Sequence, residues 1–378
     1  MISRKEFLTM AGMASIAAVL PTGSVSAALA NNENLAPLDK TSNPLLRAPL
    51  KHMLGLGGVA IGNGMNINSD RECYDAMEAA WNLGVRYYDT SPWYGYGLSE
   101  RRFGHFLFNQ KREDYFLSTK VGRLLYGDRN YKIPNGSPWK GKSYLNYEYD
   151  FSASGVRRSI EDSLNRMGLS YIDYVFVHDL DGENSEINWL ERFNECKKGA
   201  FPELIRMREE GIIRGWGLGV NRIDPILKTI DESDPDIFLS AQQYSLLEHG
   251  DAVKRLFPAA LKRNIQIVLG GVLNTGFLAG TPRYKYLESE VTPELIKKRN
   301  QLEAIALKHN VDLRTAALQF AYAPKAVTSV AVGAHTKEQI IENINSLSIT
   351  IPESFWKELK EKNLIIQEAE TKVRKISI

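Results

Sequence analysis

Apolar and polar positions along the chain follow two alternating periods. Short runs rich in β-branched and aromatic residues have the length and composition of buried strands: Leu54–Ile61, Val85–Thr90, Tyr115–Val121, Tyr171–His178, Ile212–Val220, Ile237–Tyr244, Ile265–Val272 and Val327–Gly333. Between most of them apolar residues recur every three or four positions, which predicts helices over Ser69–Leu83, Ser99–Leu107, Ser154–Met167, Phe201–Glu210, Asp224–Ile230, Asp251–Arg263, Pro293–Lys308 and Lys337–Leu347. Several open on Ser or Asp and stop at Gly, the residues that satisfy the free backbone groups at helix ends. Eight strand-then-helix repeats predict an α/β fold of the (β/α)8, TIM-barrel type, with a doubly wound sheet as the competing arrangement. No GxGxxG follows the first strand, and Gly55-Leu56-Gly57-Gly58 lies within it, which counts against a Rossmann nucleotide site.

The two ends break this rhythm. Residues 1–30 contain Ser3-Arg4-Lys5-Glu6-Phe7-Leu8, an apolar run from Met10 to Leu20, and small residues ending Ala28-Leu29-Ala30. That is the layout of a secretory signal peptide with a twin-arginine-like motif whose second arginine is lysine. The apolar run is too short for a membrane span. The expectation is a periplasmic or otherwise exported protein with no membrane insertion after signal removal, or a cytoplasmic one if the signal does not function. Residues 31–49 read as a polar linker, 50–349 as the barrel, and 350–378 as an extension carrying a short helix on the barrel's outside.

Composition narrows the partners. Hydrophobic residues make up 43% of 378, enough for a large core. With 47 basic and 45 acidic residues the formal charge is +2, so there is no broad basic field to attract nucleic acid or an anionic membrane. Cys73 and Cys196 are the only cysteines, and no CxxC or Cys/His cluster occurs, so no metal site is expected.

A barrel of this type gathers its chemistry at the carboxyl ends of the strands. The second run ends at Asp89, with Tyr94 just beyond a turn made by Pro92, Gly95 and Gly97; the third carries Lys120 and the fourth ends at His178. A lysine inside an apolar strand is costly unless paired, and Asp89 is its natural partner. The bland alternative is a buried ion pair bracing the barrel beside a satisfied core histidine. Four such groups on three consecutive strand ends instead suggest a catalytic cluster. Tyrosine ordinarily ionises near pH of about 10, and an adjacent ammonium stabilises its phenolate. Asp89 would hold Lys120 charged, and His178 would orient a substrate oxygen. This suits proton transfer at a carbonyl or alcohol oxygen while hydride moves at carbon, and hydride requires a cofactor. Glycines and amides on the late strand ends offer that cofactor a home: Asn221, Gln243, Gly270, Gly271, Leu273, Asn274, Gly276 and, where barrels often bind phosphate, Gly333, His335, Thr336 and Gln339. The same glycines also suit ordinary turns.

From about Leu54 to Asn343 the chain resembles the aldo-keto reductases. The likeness rests on Tyr88-Asp89-Thr90-x-x-x-Tyr94-Gly95-x-Gly97-Leu98-Ser99-Glu100, Ser118-Thr119-Lys120-Val121-Gly122-Arg123 and Val177-His178-Asp179. Those stretches stand where the family carries its catalytic Asp, Tyr, Lys and His. Supporting stretches, Phe151-Ser152-x-x-Gly155-Val156-Arg157-Arg158-Ser159, His178-Asp179-x-Asp181 and Gly270-Gly271-x-x-Asn274-x-Gly276, are most similar to its aldose (L-fucose) 1-dehydrogenase and pyridoxal 4-dehydrogenase members. The resemblance implies oxidation of an L-fucose-like aldose at C1 to a lactone, with NAD or NADP accepting hydride and Tyr94 as acid/base. It also implies cofactor contact at Asn343, and substrate contact at Trp93, Trp139, His178 and Asp179. Gly270 stands where many reductases of the family stack a Tyr on nicotinamide. His335 replaces an Arg often found in the phosphate-contact turn, which leans the expectation toward NAD. The competing functions are an NADPH-dependent aldehyde or ketone reductase and, from another class, an exported nucleotide- or sugar-binding module with little turnover. The partner expected is thus a small sugar or aldehyde; the sequence sets no oligomeric state. The loop Gly122–Asp150, with Tyr126, Tyr131, Trp139, Tyr144 and Tyr147, and the loop Asp181–Ala200 are expected to set substrate choice.

Overall fold

A computed structural model describes residues 50, 54–285 and 291–373. The signal and linker expectations, residues 1–49, lie outside them. In chain order the elements are β1 Leu54–Gly57, α1 Asp70–Asn82, β2 Tyr87–Asp89, α2 Leu98–Leu107, β3 Phe116–Val121, β4 Arg123–Gly127, β5 Leu145–Tyr149, α3 Ala153–Met167, β6 Tyr174–His178, α4 Trp189–Lys198 and α5 Ala200–Glu209. They continue with β7 Gly215–Val220, α6 Ile223–Glu232, β8 Ile237–Ala241, α7 Phe257–Arg263, β9 Gln266–Gly270, α8 Pro293–Lys308, α9 Leu313–Tyr322, β10 Val327–Gly333, α10 Lys337–Ser346 and α11 Glu353–Glu361. Eight of the strands close a parallel barrel in the order β1-β10-β9-β8-β7-β6-β3-β2, and β4 and β5 form a separate antiparallel hairpin. The (β/α)8 expectation is therefore met.

Successive side chains on a strand point to opposite faces, and here the two faces have separate cores. Tyr87, Tyr174, Phe176, Ile237, Leu239, Val268 and Ala331 pack together with Leu50 inside the barrel. Their neighbours Tyr88, Leu117, Val175, Val177, Trp216 and Leu218 face the helices and join the larger cluster. Counting on by two from Tyr87 reaches Asp89, from Phe116 reaches Ser118 and Lys120, and from Tyr174 reaches His178. Alternation alone thus puts three of the four candidate catalytic residues on the inward face at one end. Gly219, paired with His178 in register, leaves the room this needs, since a Cβ there would sit 3.3 Å from Lys120 Cε and 3.2 Å from Phe176 Cβ.

The sequence pattern missed four features, each for a physical reason. In the hairpin, β5 is half-buried and polar on alternate positions, and β4 has only Leu124-Leu125-Tyr126 between Arg123 and Gly127, so neither offers a long apolar run. Helix α4 buries only Phe193 and Cys196, too narrow a face for a helical period to stand out. Helix α9 has the opposite fault: nearly all of it is buried, so it has no polar face. The segment before α7 widens into a π turn at Ala252–Leu256, where Pro258 cannot donate a backbone hydrogen bond. In the C-terminal extension, Phe355, Trp356 and Leu359 of α11 join the main core.

Candidate active site

Lys120 Nζ lies 2.8 Å and 3.0 Å from the two oxygens of Asp89 and 2.8 Å from the Thr90 carbonyl. Both side chains are almost wholly buried, so the pair is stable only because each charge is fully matched. Ser118 donates to Asp89 Oδ1 at 2.6 Å, and Tyr87 OH meets Ser118 Oγ at 2.9 Å. The ammonium sits over the ring of Tyr94, 4.6 Å from its centroid. It is therefore attracted to the face of the phenol ring.

His178 meets Tyr94 edge to face at 5.7 Å between centroids. Its Nδ1 is 3.1 Å from Ser91 Oγ and 3.5 Å from Arg123 Nη1. Burial first, then the cations of Lys120 and Arg123, holds its pKa well below the ordinary histidine value, so the ring is neutral near pH 7. Arg123 is itself buried; burial works to lower its pKa, but Asp179 and the Tyr149 and Tyr147 phenols outweigh that and the net shift is upward. Its Nη1 donates to Asp179 Oδ2 at 2.8 Å.

Two cavities open on this end of the barrel. The first, about 340 Å³, is walled by Trp93, Tyr96, Tyr131, Trp139 and Tyr147, with Lys120, Arg123, His178 and Asp179 among its lining. The second, about 480 Å³, runs along the ends of β1, β9 and β10 and is lined by Gly57, Gly58, Gly270, Gly271, Gly276 and Gly333. Tyr94 lines both. A strap of backbone bonds crosses near their boundary: Met65 N donates to the Pro138 carbonyl at 2.7 Å and Lys140 N to the Asn63 carbonyl at 2.9 Å.

Of the residues singled out for substrate, Trp93, Trp139, His178 and Asp179 all line the first cavity. Of those singled out for cofactor, Gly270, Gly271, Leu273, Gly276, Gly333, His335, Gln339 and Asn343 line the second. Asn221 instead lines the first, where its backbone N–H donates to Asp181 Oδ2 at 2.6 Å. Gln243 reaches the Asn221 carbonyl at 2.6 Å and lines neither cavity. Asn274 is wholly buried, and its side-chain amide has no hydrogen-bond partner among the described residues. Thr336 caps α10 by accepting from Gln339 N.

Sequence reasoning passed over Ser91, Ser118, Arg123 and Arg283. Ser118 had a findable signal, since it shares a strand face with Lys120. Arg123 was visible only as part of a motif. Its role depends on a fold that brings the ends of β3 and β6 together. Arg283 lines the second cavity, and its buried Nε has no hydrogen-bond partner among the described residues.

The second cavity fits a nicotinamide dinucleotide in its chemistry. A Cβ on Gly333 would meet only the Gly57 carbonyl, at 3.9 Å, so the wall there is bare backbone that a ligand can approach closely. Arg283 offers an unsatisfied donor to an anionic oxygen. Among the described residues no group of three or more His, Cys, Asp or Glu side chains is arranged to hold a metal ion, and no helix is long and apolar enough to cross a membrane.

A sequence profile of the Aldo/keto reductase family matches residues 53–364. The chain is 35% identical over 321 residues to a D-threo-aldose 1-dehydrogenase of Pseudomonas sp., covering 82% of this chain and 94% of that one. It is 36% identical over 329 residues to a pyridoxal 4-dehydrogenase of Microbacterium luteolum, with the same coverage of 82% and 94%. Among solved structures, an aldo-keto reductase from Bacillus halodurans superposes with a TM-score of 0.62 at 23% identity, covering 85% of this chain and 93% of that one. That likeness concerns the fold.

Proposed function

The chain belongs to the aldo/keto reductase family, and from that premise we propose that it oxidises an L-fucose-like aldose at C1 to the lactone. The observation that carries this reading is the position of Tyr94, in the wall of both cavities and under the Lys120 ammonium. A proton acceptor there is within reach of a substrate on one side and a cofactor on the other.

A nicotinamide dinucleotide, the cofactor of this family, supplies the hydride acceptor when bound. The protein does the rest. Tyr94, as the phenolate that the Lys120 ammonium stabilises, takes the proton from the C1 hydroxyl and becomes the neutral phenol. Asp89, fixed by Ser118, pairs with Lys120 and holds its ammonium in place. Neutral His178 donates a hydrogen bond to the reacting oxygen and orients it. The glycine walls, Gln339, Asn343 and Arg283 of the second cavity would hold the dinucleotide. NAD is favoured over NADP: burial and the nearby Arg283 lower the pKa of His335, so it offers no cation at pH 7, and Arg314 is paired with Glu342. The names of the two dehydrogenase relatives agree with this direction of reaction.

The test follows absorbance of reduced nicotinamide when the protein from Asn31 onward meets NAD or NADP and a panel of aldoses led by L-fucose. A rise with NAD is the expected result. No rise with any aldose, together with rapid consumption of NADPH by simple aldehydes, would overturn it. Export through residues 1–30 is a separate proposal. Its check is fractionation of expressing cells, with recovery of the protein only from the cytoplasm as the contrary result.

A further inference from the structure

The first cavity presents a carboxylate that the proton-transfer chemistry leaves unused. Asp179 directly follows His178 in a left-handed backbone conformation, φ 48°, which a non-glycine residue keeps only where its surroundings hold it. Arg123 is what holds it. The guanidinium fixes Oδ2 at 2.8 Å and is itself packed over the rings of Trp93 and Tyr149, at 4.3 Å and 4.9 Å. Oδ1 is turned the other way, 3.5 Å from His178 Nε2 and 3.4 Å from Asn221 Nδ2. Both distances are long for a hydrogen bond, so Oδ1 retains capacity for a stronger donor.

The same arginine, with Ser91, favours one tautomer of His178. Arginine only donates, and Arg123 Nη1 faces Nδ1. Ser91 Oγ, which accepts from Trp93 N at 3.1 Å, faces the same nitrogen with its hydroxyl. With these two donors facing it, Nδ1 is assigned as the acceptor and the ring proton to Nε2. The cavity thus offers a donor, Nε2–H, and a carboxylate acceptor, Oδ1, side by side at 3.5 Å. The chemical complement is an acceptor oxygen and a hydroxyl on adjacent carbons, whose oxygens span a similar distance when staggered across one bond.

We propose that Asp179, positioned by Arg123, binds the hydroxyl on the carbon next to the reacting one, so that the enzyme selects α-hydroxy aldehydes and their cyclic hemiacetals over analogues that lack the hydroxyl. The inference rests on the aldose-oxidation reading above and adds the part of the sugar that is read. An analogue without the hydroxyl leaves a largely buried carboxylate oxygen without its donor, and sites of that kind reject such analogues strongly.

The test compares kcat/KM for L-fucose, or the fastest aldose of the panel, with that for its 2-deoxy counterpart. The unmodified enzyme is expected to prefer the 2-hydroxylated sugar by about 100-fold. In the double variant Asp179→Ala, Arg123→Met, which removes both buried charges together, that preference falls to about threefold or less. Arg123→Lys keeps the charge but loses the fork, and should lower activity on the aldose more than on the 2-deoxy sugar; equal losses on both would reduce Arg123 to a structural role. Equal efficiency on the two sugars in the unmodified enzyme overturns the proposal and leaves aldose oxidation standing. Failure to oxidise any aldose overturns both.

Discussion

Each end of the barrel buries a carboxylate among cations, and the two are built differently. At the amino end, Asp173 accepts from Arg112 at 2.6 Å, Arg214 at 2.5 Å and Leu117 N at 2.9 Å, while its backbone carbonyl accepts from Arg214 N at 2.8 Å. Arg112 is stacked on Tyr171, 3.6 Å from the ring centroid. None of these residues lines either cavity. At the carboxyl end, Asp89 is bound just as closely by Lys120 and Ser118, but its surroundings open on both cavities. Tyr94 lies against Lys120, and His178 against Tyr94. On the proposed mechanism, a buried ion pair is a brace where its neighbours close on one another, and a piece of machinery where its cation faces a group that a ligand can reach. Burial and pairing look alike at the two ends. What differs is access.

Substitutions at the two ends should separate the two roles. Lys120→Met leaves Asp89 buried without its cation, and should cost roughly 3–5 kcal/mol of stability and about a thousandfold or more in turnover. Denaturant melts and steady-state rates check both, and a variant that stays as active as the parent would make the carboxyl-end pair a brace like the other. Asp173→Asn should cost roughly 1–3 kcal/mol but leave kcat/KM of the folded protein within about twofold. A tenfold fall in kcat/KM there would erase the distinction between the ends.

A structural histidine extends the comparison to pH. His249 faces the Ser245 carbonyl through Nδ1 at 2.9 Å and accepts from Ile366 N through Nε2 at 3.1 Å. Burial, with the Lys298 cation, lowers its pKa to about 4. The unfolded chain takes up that proton at about 6.5, so between the two values the unfolded state binds more protons. Stability from this residue is full above pH of about 6.5 and is lost as pH falls toward about 4, by roughly 3 kcal/mol. His249→Gln should flatten that part of the stability profile while leaving the activity profile of the folded enzyme unchanged; an unaltered stability profile would contradict the assignment. The smallest effect concerns cofactor choice. Glu342→Gln removes the nearer of the two carboxylates beside Arg314, leaving Asp312 at 3.6 Å, and should raise NADP affinity by about three- to tenfold in a fluorescence titration, with NAD affinity little changed.

Much of this was legible in the chain. The eight strand runs and the inward phase of Asp89, Lys120 and His178 follow from period-two alternation, and Tyr94 from the turn that Pro92, Gly95 and Gly97 force. The strand ends were harder to place. Gly58–Ile61, Gln242–Tyr244 and Gly271–Val272 are apolar enough to read as strand, yet the barrel ends its ladder before them and spends them on rim turns. Asn221 ends a late strand, and because β7 adjoins β6 in the barrel it lies beside Asp179, a neighbour the chain order does not reveal. The Arg123–Asp179–Ser91 arrangement was not legible, because its members come from three strand ends and only their convergence gives them meaning.

The most direct test of the central claim is Tyr94→Phe, which removes only the ionisable oxygen from a residue that lines both cavities. Dinucleotide binding by fluorescence titration should stay within about twofold of the parent while turnover of the best aldose falls by about a thousandfold. Turnover near the parent's value, with binding intact, would contradict the assignment of Tyr94 as the proton-transfer group.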